Sequence, residues 1–185
     1  MAQTTWRQPH ARLVIMKKAT PYLLALFMLL GIQQWKSRDL ISGSPPIKDR
    51  QTLTGIPAQQ AITEGATWIY VWAEWCAICN AMQDNISAVL QNHPGLTIAT
   101  RSGDNPTLNA YLNQHHLNWP TLNDDQGDLL QRFGLQGVPA IFYLAPNGEI
   151  VFSSLGYSSE WGIRFRLWLT TLFAQKGLST PTKAP

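Results

Sequence analysis

The chain has 185 residues, of which 45% are apolar and 14% charged, a composition that excludes a disordered polymer and allows one folded domain with residues to spare. The formal net charge of +3 conceals an asymmetry. Residues 1–53 hold eight Lys/Arg and two Asp, whereas residues 54–185 hold six Lys/Arg and nine Asp/Glu. The second part is therefore mildly acidic, which argues against a nucleic-acid-binding surface.

Residues 19–35, ATPYLLALFMLLGIQQW, carry no charge. At the helical rise this length reaches about 26 Å, the short end of a membrane span, and Tyr22 and Trp35 bracket it as interfacial aromatics do. A cleaved signal peptide is the alternative, because the basic residues 1–18 precede the apolar stretch. No A-x-A-like cleavage site follows Ile32, so we expect an uncleaved single transmembrane helix.

The remaining boundaries follow from composition. A polar stretch containing SGSPP follows the apolar segment, and the last residues read GLSTPTKAP; such segments are typical of linkers and flexible ends. The predicted division is a basic N-terminus (1–18), a transmembrane anchor (19–35), a linker (36–53), a folded domain (54–176) and a flexible tail (177–185). The flanks of the span carry four Lys/Arg each, so the charge count does not orient it.

Strand and helix patterns alternate through the predicted domain. TWIYVWA (67–73) is a run of β-branched and aromatic residues, which predicts a strand buried on both faces. Pro146-Asn147-Gly148 predicts the turn of a hairpin. Further strands are predicted at 96–100, 140–145 and 149–156, and helices at 79–91, 106–115, 128–133 and from about 158. This order predicts a layered α/β domain.

The last predicted helix begins after Ser158-Ser159, a capping sequence. It carries four large apolar residues at i, i+4, i+7 and i+11: Trp161, Phe165, Trp168 and Leu172. We interpret this stripe as the face that packs on the core.

Cys76 and Cys79 are the two cysteines of the chain, and they lie where the first predicted strand gives way to the first helix. A helix N-terminus stabilises a thiolate, which is the reactive form of cysteine. We therefore expect Cys76, at the helix edge, to be the nucleophile and Cys79, one turn further, to be the resolving cysteine. Half of a metal site is the competing interpretation.

Two stretches carry a family resemblance. WAEWCAIC (72–79) and GVPAIFYLAPNGEIV (137–151) resemble the thioredoxin superfamily, and the similarity extends over about residues 47–174. WPTLNDDQGDLLQRFGLQGVPA (119–140) resembles the membrane-tethered subgroup that includes the cytochrome c maturation thioredoxins. FSSLGYSSEWGIRFRLWL (152–169) is similar to the suppressor-for-copper-sensitivity D type. The resemblance implies a thioredoxin-like fold, a central mixed sheet flanked by helices, tethered by the N-terminal helix.

The resemblance also implies a substrate-binding surface around the cysteines. Trp75 and Cys76 would form its exposed lip. Val138 and Pro139 would form a cis-proline turn, with Pro139 against the disulfide and the backbone of Val138 free to pair with an extended substrate segment.

Proton transfer is where the sequence departs from thioredoxin. Thioredoxin has a buried aspartate six residues before its first cysteine, and Tyr70 stands at that position here. Glu74, Asp104 or a chain of water molecules are therefore the candidates for handling the proton of Cys79.

The function implied by the resemblance is membrane-anchored thiol–disulfide exchange with extracytoplasmic proteins, as a reductant or isomerase-type partner. A DsbD-like membrane electron donor would keep it reduced. The chain would lie in a bacterial inner membrane with its C-terminal domain in the periplasm, and disulfide chemistry belongs mainly in oxidising compartments. We expect no cofactor beyond the redox-active disulfide.

Three alternatives stay open. One is a maturation factor for cytochrome c, and another is a thioredoxin fold used as a binding module without redox activity. The third is a zinc or copper module in which two imidazoles join the two thiolates. The sequence has neither a second CxxC nor a short His-x-His pair, and the adjacent His115 and His116 are not expected to face one site together.

Overall fold

The computed structural model of the protein describes residues 40–65 and 67–175. Within them lie five strands and six helices. In chain order they are α1 (Ala58–Thr63), β1 (Trp68–Trp72), α2 (Ala77–Asn80), α3 (Gln83–Leu90), β2 (Leu96–Thr100), α4 (Asn105–Gln114), β3 (Thr121–Asp124), α5 (Asp128–Arg132), β4 (Ala140–Leu144), β5 (Ile150–Leu155) and α6 (Glu160–Gln175).

The strands form one mixed sheet in the order β3-β2-β1-β4-β5. β1, β2 and β3 are parallel, whereas β4 is antiparallel to both β1 and β5. All five residues of β1, β2 and β4 are buried, as expected of strands covered by helices on both faces. The predicted α/β architecture, a central mixed sheet flanked by helices, is confirmed.

The two faces of the sheet bury two different sets of side chains, because successive residues of a strand point to opposite faces. We call the first set the site layer, since it contains both cysteines. Its members are Trp68, Tyr70, Trp72, Ala73, Cys76, Cys79, Met82, Ile86, Val89, Ala99, Leu108, Leu112, Leu117, Trp119, Ile141, Tyr143, Ile163 and Leu167.

The opposite layer fills the other face and is built mainly from aliphatic side chains. Its members are Ile47, Ala58, Ile62, Ile69, Val71, Leu96, Ile98, Leu122, Leu129, Leu130, Phe133, Leu135, Ala140, Phe142, Leu144 and Ile150. Helices α1 and α5 cover this face, while α3, α4 and α6 cover the site layer.

Strand β3 and helix α1 were not predicted from the sequence. β3 is only four residues long, TLND, and it has a carboxylate inside the protein rather than an apolar run. Asp124 is buried there because its oxygens accept hydrogen bonds from the Thr100 hydroxyl and from the backbone N–H groups of Leu129 and Leu130, at 2.9–3.0 Å. Those partners come from other elements, so no local sequence pattern predicts the strand.

Part of the segment predicted as a linker lies against the domain. Ile47 is fully buried in the opposite layer, Gly43 forms a bridge with Ile150, and Thr52 forms a bridge with Leu122. A polar segment can do this because one apolar side chain and paired backbone suffice to fix it. The predicted anchor (19–35) and tail (177–185) lie outside the described residues.

In the part of the chain that the structure describes, no helix combines the length and the apolar character that a membrane crossing requires.

The prediction for the face of α6 was wrong. Trp161, Phe165 and Trp168 are 80%, 57% and 54% exposed. The helix instead buries Ile163 and Leu167 in the site layer. α6 is apolar on two faces, and the narrower, aliphatic face fits beneath β4 and β5 and against α3.

Candidate active site

The two cysteines occupy the turn that follows β1. Cys76 is the N-cap of α2, with extended backbone angles, and it forms a disulfide with Cys79 across a Cα–Cα distance of 5.2 Å. The backbone N–H of Cys79 donates a hydrogen bond to Cys76 Sγ at 3.2 Å. An N–H group aimed at a sulfur stabilises negative charge on it. Cys76 is 7% exposed and Cys79 is 1% exposed, so an incoming partner meets Cys76.

The Val138–Pro139 peptide bond is cis and lies beside the disulfide. The Val138 carbonyl oxygen is 3.8 Å from Cys76 Sγ. The Pro139 carbonyl accepts a hydrogen bond from the Gly156 N–H at 2.8 Å. This bond ties the turn beside Cys76 to the loop between β5 and α6.

Trp75 forms an exposed lip next to the disulfide. Its side chain is 61% exposed, yet its indole N–H donates to the Arg101 carbonyl at 3.0 Å. The neighbouring Glu74 N–H donates to Ser102 Oγ at 3.1 Å. The indole is thus held in one orientation by the end of β2. Ile78, 49% exposed, adds a second apolar group to the rim.

Of the two carboxyl groups considered for proton transfer, the structure gives Asp104 another task. Asp104 is the N-cap of α4, and its side chain accepts a hydrogen bond from the Thr107 N–H at 3.0 Å. Its hydrogen bonds with Thr107 hold the pKa of Asp104 below its usual value, which makes it a weak base.

Glu74 has polar neighbours closer to the active-site helix. Its main-chain carbonyl oxygen accepts a hydrogen bond from Asn80 Nδ2 at 3.2 Å, and Asn80 follows Cys79 directly. The charge of Glu74 also contributes to raising the pKa of Tyr111, after the larger effect of burial.

A polar contact between α4 and the active-site helix was missed in the sequence. The Tyr111 hydroxyl donates to Asn80 Oδ1 at 3.0 Å and accepts from Gln83 Nε2 at 2.7 Å. These residues are far apart in the chain and common in type, so no pattern links them. The contact fixes the residue that follows Cys79.

Beneath the site, two buried polar atoms have no hydrogen-bond partner among the described residues. They are the Tyr70 hydroxyl and the Trp72 indole nitrogen. Both rings meet Trp119 edge to face, with centroid distances of 6.0 Å and 5.2 Å. Burial raises the pKa of Tyr70 far above its usual value, so the hydroxyl stays protonated. The position of thioredoxin's buried aspartate is therefore occupied by a neutral group.

In the described part of the chain, no group of three or more His, Cys, Asp or Glu side chains is arranged to hold a metal ion. Both sulfurs are joined in the disulfide, and the His115 ring lies on the Tyr111 ring at 4.3 Å.

Comparison with known proteins finds related sequences, although no protein-family profile matches the chain. A thioredoxin-like protein of Haemophilus influenzae is 28% identical over 108 residues, which cover 58% of this chain and 64% of that protein. The soluble secreted antigen MPT53 of Mycobacterium tuberculosis is 30% identical over 105 residues, 55% of this chain and 60% of that protein. The thiol-disulfide oxidoreductase ResA of Oceanobacillus iheyensis is 24% identical over 83 residues, 43% of each chain. The chain thus spans less than two thirds of the length of these relatives.

Solved structures establish the fold. MTB dsbF superposes with a TM-score of 0.57 and 21% identity, covering 67% of this chain and 96% of that one. A secreted Mycobacterium tuberculosis disulfide oxidoreductase homologous to E. coli DsbE superposes with a TM-score of 0.55 and 21% identity, covering 72% and 98%. The chain has the thioredoxin-like fold, its relatives include thiol-disulfide oxidoreductases, and its own two cysteines form a disulfide.

Proposed function

We propose that this chain is a thiol–disulfide oxidoreductase of the DsbE/ResA kind, with Cys76 as the nucleophile and Cys79 as the resolving cysteine. The unequal exposure of the two cysteine residues carries the proposal: 7% for Cys76 against 1% for Cys79. A pair that must first meet a partner and then release it needs this asymmetry. The names of the relatives support the same chemistry.

The exchange proceeds in two steps. In the reduced protein, the Cys76 thiolate attacks one sulfur of a partner disulfide, and the second partner sulfur leaves as a thiolate. The thiol of Cys79 then loses its proton and attacks Cys76 Sγ, which restores the Cys76–Cys79 disulfide and releases the first partner sulfur. Two electrons pass to the partner, and the Cys79 N–H that points at Cys76 Sγ stabilises the thiolate of the first step.

Glu74 is the group we assign to the proton of Cys79. The assignment follows from the other candidate, because Asp104 is occupied as a helix cap. The main-chain carbonyl of Glu74 is bonded to the Asn80 side chain, which places the backbone of Glu74 beside the active-site helix. The Glu74→Gln variant should lower the rate of the second step and shift its pH profile, while the first step is unchanged. Rapid-quench alkylation separates the two steps.

The setting we propose is the periplasmic side of a bacterial inner membrane. Residues 19–35 would anchor the chain there, and substrates would be extracytoplasmic proteins with thiols or disulfides. A DsbD-like donor would keep the pair reduced. The apolar segment supports the anchor, and the suppressor-for-copper-sensitivity resemblance adds copper tolerance as a setting for this activity. Protease treatment of intact and permeabilised cells tests the location. The domain should be cleaved only after the outer membrane has been permeabilised.

The redox potential of the Cys76–Cys79 pair tests the function itself. The full-length chain in lipid nanodiscs is equilibrated with glutathione buffers, and the reduced fraction is read by alkylation and mass. A value near that of thioredoxin, about −270 mV, fits a reductant, whereas about −120 mV would make it a disulfide donor. A pair that does not interconvert with glutathione would contradict the proposed function.

A further inference from the structure

The side chain of Asn80 closes the loop that carries the two cysteines. Its Nδ2 donates a hydrogen bond to the main-chain carbonyl of Glu74 at 3.2 Å, and its backbone N–H donates to the Cys76 carbonyl at 3.0 Å. Glu74 lies two residues before Cys76, and Asn80 follows Cys79 directly. One residue therefore ties together the two ends of the segment 74–80, and both cysteines lie between those ends.

The Asn80 amide depends on a second side chain, because Asn80 is exposed. Water competes for an exposed amide, so a single hydrogen bond at the surface holds a side chain only weakly. Asn80 Oδ1 accepts a hydrogen bond from the Tyr111 hydroxyl at 3.0 Å. Because Oδ1 and Nδ2 belong to one planar amide, holding Oδ1 also fixes the direction of Nδ2. We call Asn80 and Tyr111 the clamp.

The Tyr111 hydroxyl is itself held in place. It accepts a hydrogen bond from Gln83 Nε2 at 2.7 Å, and its ring centroid lies 5.8 Å from that of Trp72 and 4.3 Å from that of His115. Burial raises the pKa of Tyr111, so the hydroxyl stays protonated at neutral pH and can donate to Asn80. Because Trp72 belongs to β1 and is buried in the site layer, the clamp connects the cysteine loop to the packed core.

The second step of the exchange depends on how the two cysteines are held. After the first step, Cys76 is joined to a partner sulfur and the Cys76–Cys79 bond is open, so only the fold of the chain keeps Cys79 close. The Cys79 thiol then loses its proton and its sulfur attacks Cys76 Sγ, while the partner sulfur leaves with the electron pair as a thiolate. A reaction within one molecule is faster when its two groups are confined more narrowly.

We propose that Tyr111 is a positioning residue for this second step. Its hydroxyl holds Asn80, and Asn80 holds the two ends of the loop together while the disulfide is open. Tyr111 thereby sets the rate at which the Cys76–Cys79 disulfide closes and its equilibrium with the dithiol. This inference rests on the proposed function and adds to it a residue from a distant part of the chain.

A single turnover with glutathione disulfide separates the two steps. The full-length chain in lipid nanodiscs is reduced, freed of reductant and mixed with glutathione disulfide, and samples are quenched in acid and alkylated. Mass spectrometry then follows the adduct of Cys76 with glutathione. Its rise gives the rate of the first step, and its decay to the closed disulfide gives the rate of the second. Tyr111→Phe removes the hydroxyl and keeps the ring.

We expect Tyr111→Phe to slow the second step about fivefold and to leave the first step unchanged. The equilibrium with glutathione should shift about fivefold towards the dithiol, which makes the potential of the pair less negative by about 20 mV. Tyr157→Phe is the matched control, because it also removes a hydroxyl that is hydrogen-bonded to an asparagine, Asn85 Nδ2 at 3.2 Å. The control variant should keep both rates and the potential.

Two further measurements distinguish positioning from other roles of Tyr111. Asn80→Ala should slow the second step at least as much, and adding Tyr111→Phe to it should cause no further loss, because the hydroxyl acts through Asn80. In Tyr111→Phe the second step should slow by the same factor at every pH. Its pH profile therefore keeps its shape, in contrast to the shifted profile expected of Glu74→Gln.

Four results would overturn the positioning role. They are an unchanged second step in Tyr111→Phe, equal slowing of both steps, additive losses in the double variant, and a shifted pH profile. A wild-type chain that forms neither the glutathione adduct nor the closed disulfide would instead refute the proposed function. The wild-type reaction thus tests the chemistry of the cysteines, and the variants test the clamp.

Discussion

The two layers of the core differ in chemistry more than in size. Every large aromatic side chain of the site layer carries a polar atom: Trp68, Tyr70, Trp72, Trp119 and Tyr143. The aromatic members of the opposite layer are Phe133 and Phe142, whose rings meet at 4.7 Å and carry none.

Burying a polar atom costs free energy unless the atom is hydrogen-bonded, whereas apolar atoms need only fill space. In the site layer, Trp68 donates to the His93 carbonyl at 3.1 Å, and Trp119 donates to Ser87 Oγ at 3.0 Å. These bonds fix where the helices lie beneath the disulfide. The aromatic residues of the opposite layer have no polar atom that requires a hydrogen-bond partner. The comparison indicates that one layer positions the chemistry and the other contributes mainly to the free energy of unfolding.

The largest effect is expected when the two cysteines of the site layer are replaced. Cys76→Ser should reduce exchange to the uncatalysed background, because the sulfur that attacks the partner is gone. Cys79→Ser should instead accumulate a mixed disulfide with the partner, since the resolving step is lost. Mass spectrometry of the acid-quenched reaction distinguishes the two, and turnover in either variant would contradict the assigned roles.

Ile98→Ala is the corresponding change in the opposite layer. Ile98 is fully buried, and truncating it leaves a cavity that costs about 2–5 kcal/mol of unfolding free energy. Urea denaturation measures the cost. The redox potential of the folded protein should be unchanged, and a shifted potential would show that the two layers are not separable in this way.

Gly95→Ala tests how tightly the site layer is packed. A Cβ at position 95 would lie 2.5 Å from Trp68 Nε1, and the rigid indole cannot yield without losing its bond to His93. Overpacking of this kind costs about 1–3 kcal/mol, again measured in urea. Gly137→Ala is the matched control, because no atom lies within 4 Å of a Cβ built there. Equal losses in the two variants would contradict the packing described for Trp68.

Tyr70→Phe removes a buried hydroxyl that has no partner among the described residues. We expect stability to rise by about 1 kcal/mol. Burial raises the pKa of Tyr70, so above a pH of about 10 the unfolded chain ionises at this residue before the folded protein does, and the free energy of unfolding falls. The variant should therefore lose less stability in alkali. A destabilised variant would indicate that the hydroxyl has a partner.

The smallest effect is expected at Asp104. Replacement by Ala removes the cap of α4 and should lower the Tm slightly, whereas Asp104→Asn keeps an N-cap side chain and should restore it. Since the lowered pKa of Asp104 leaves it ionised at neutral pH, the loss should disappear in acid. Neither variant should alter the pH profile of exchange. A changed pH profile would indicate that Asp104 takes part in proton transfer.

The parts of the fold that the sequence predicts are those whose pattern is local. β1 is an uninterrupted apolar run and the cysteines lie in the turn that follows it, so both the strand and the position of the disulfide can be predicted. β3 cannot be predicted, because the burial of its Asp124 depends on hydrogen bonds with Thr100 and with the start of α5. The burial of Ile47 could not be predicted either. A single isoleucine in a polar segment forms no pattern, and it is buried only because the folded opposite layer packs around it.

The exposed apolar face of α6, formed by Trp161, Phe165, Trp168 and Leu172, shows a different limit. Apolar residues at helical spacing predict a buried face, but α6 has two such faces, and the pattern does not say which one the sheet accepts. The site has the same limit. Cys76, Cys79 and the Val138–Pro139 turn stand in recognisable motifs, whereas the contact of Tyr111 with Asn80 and Gln83 exists only in three dimensions.

The central position of β1 has a consequence for insertions and deletions. The strand is paired on both sides, with β2 through Ile69 to Trp72 and with β4 through Trp68 to Val71. Losing or gaining one residue within it would reverse every side chain that follows, moving indoles into the aliphatic layer and isoleucine beneath the disulfide. Such a strand tolerates changes of residue far better than changes of length, so natural length variation should be confined to the connecting loops.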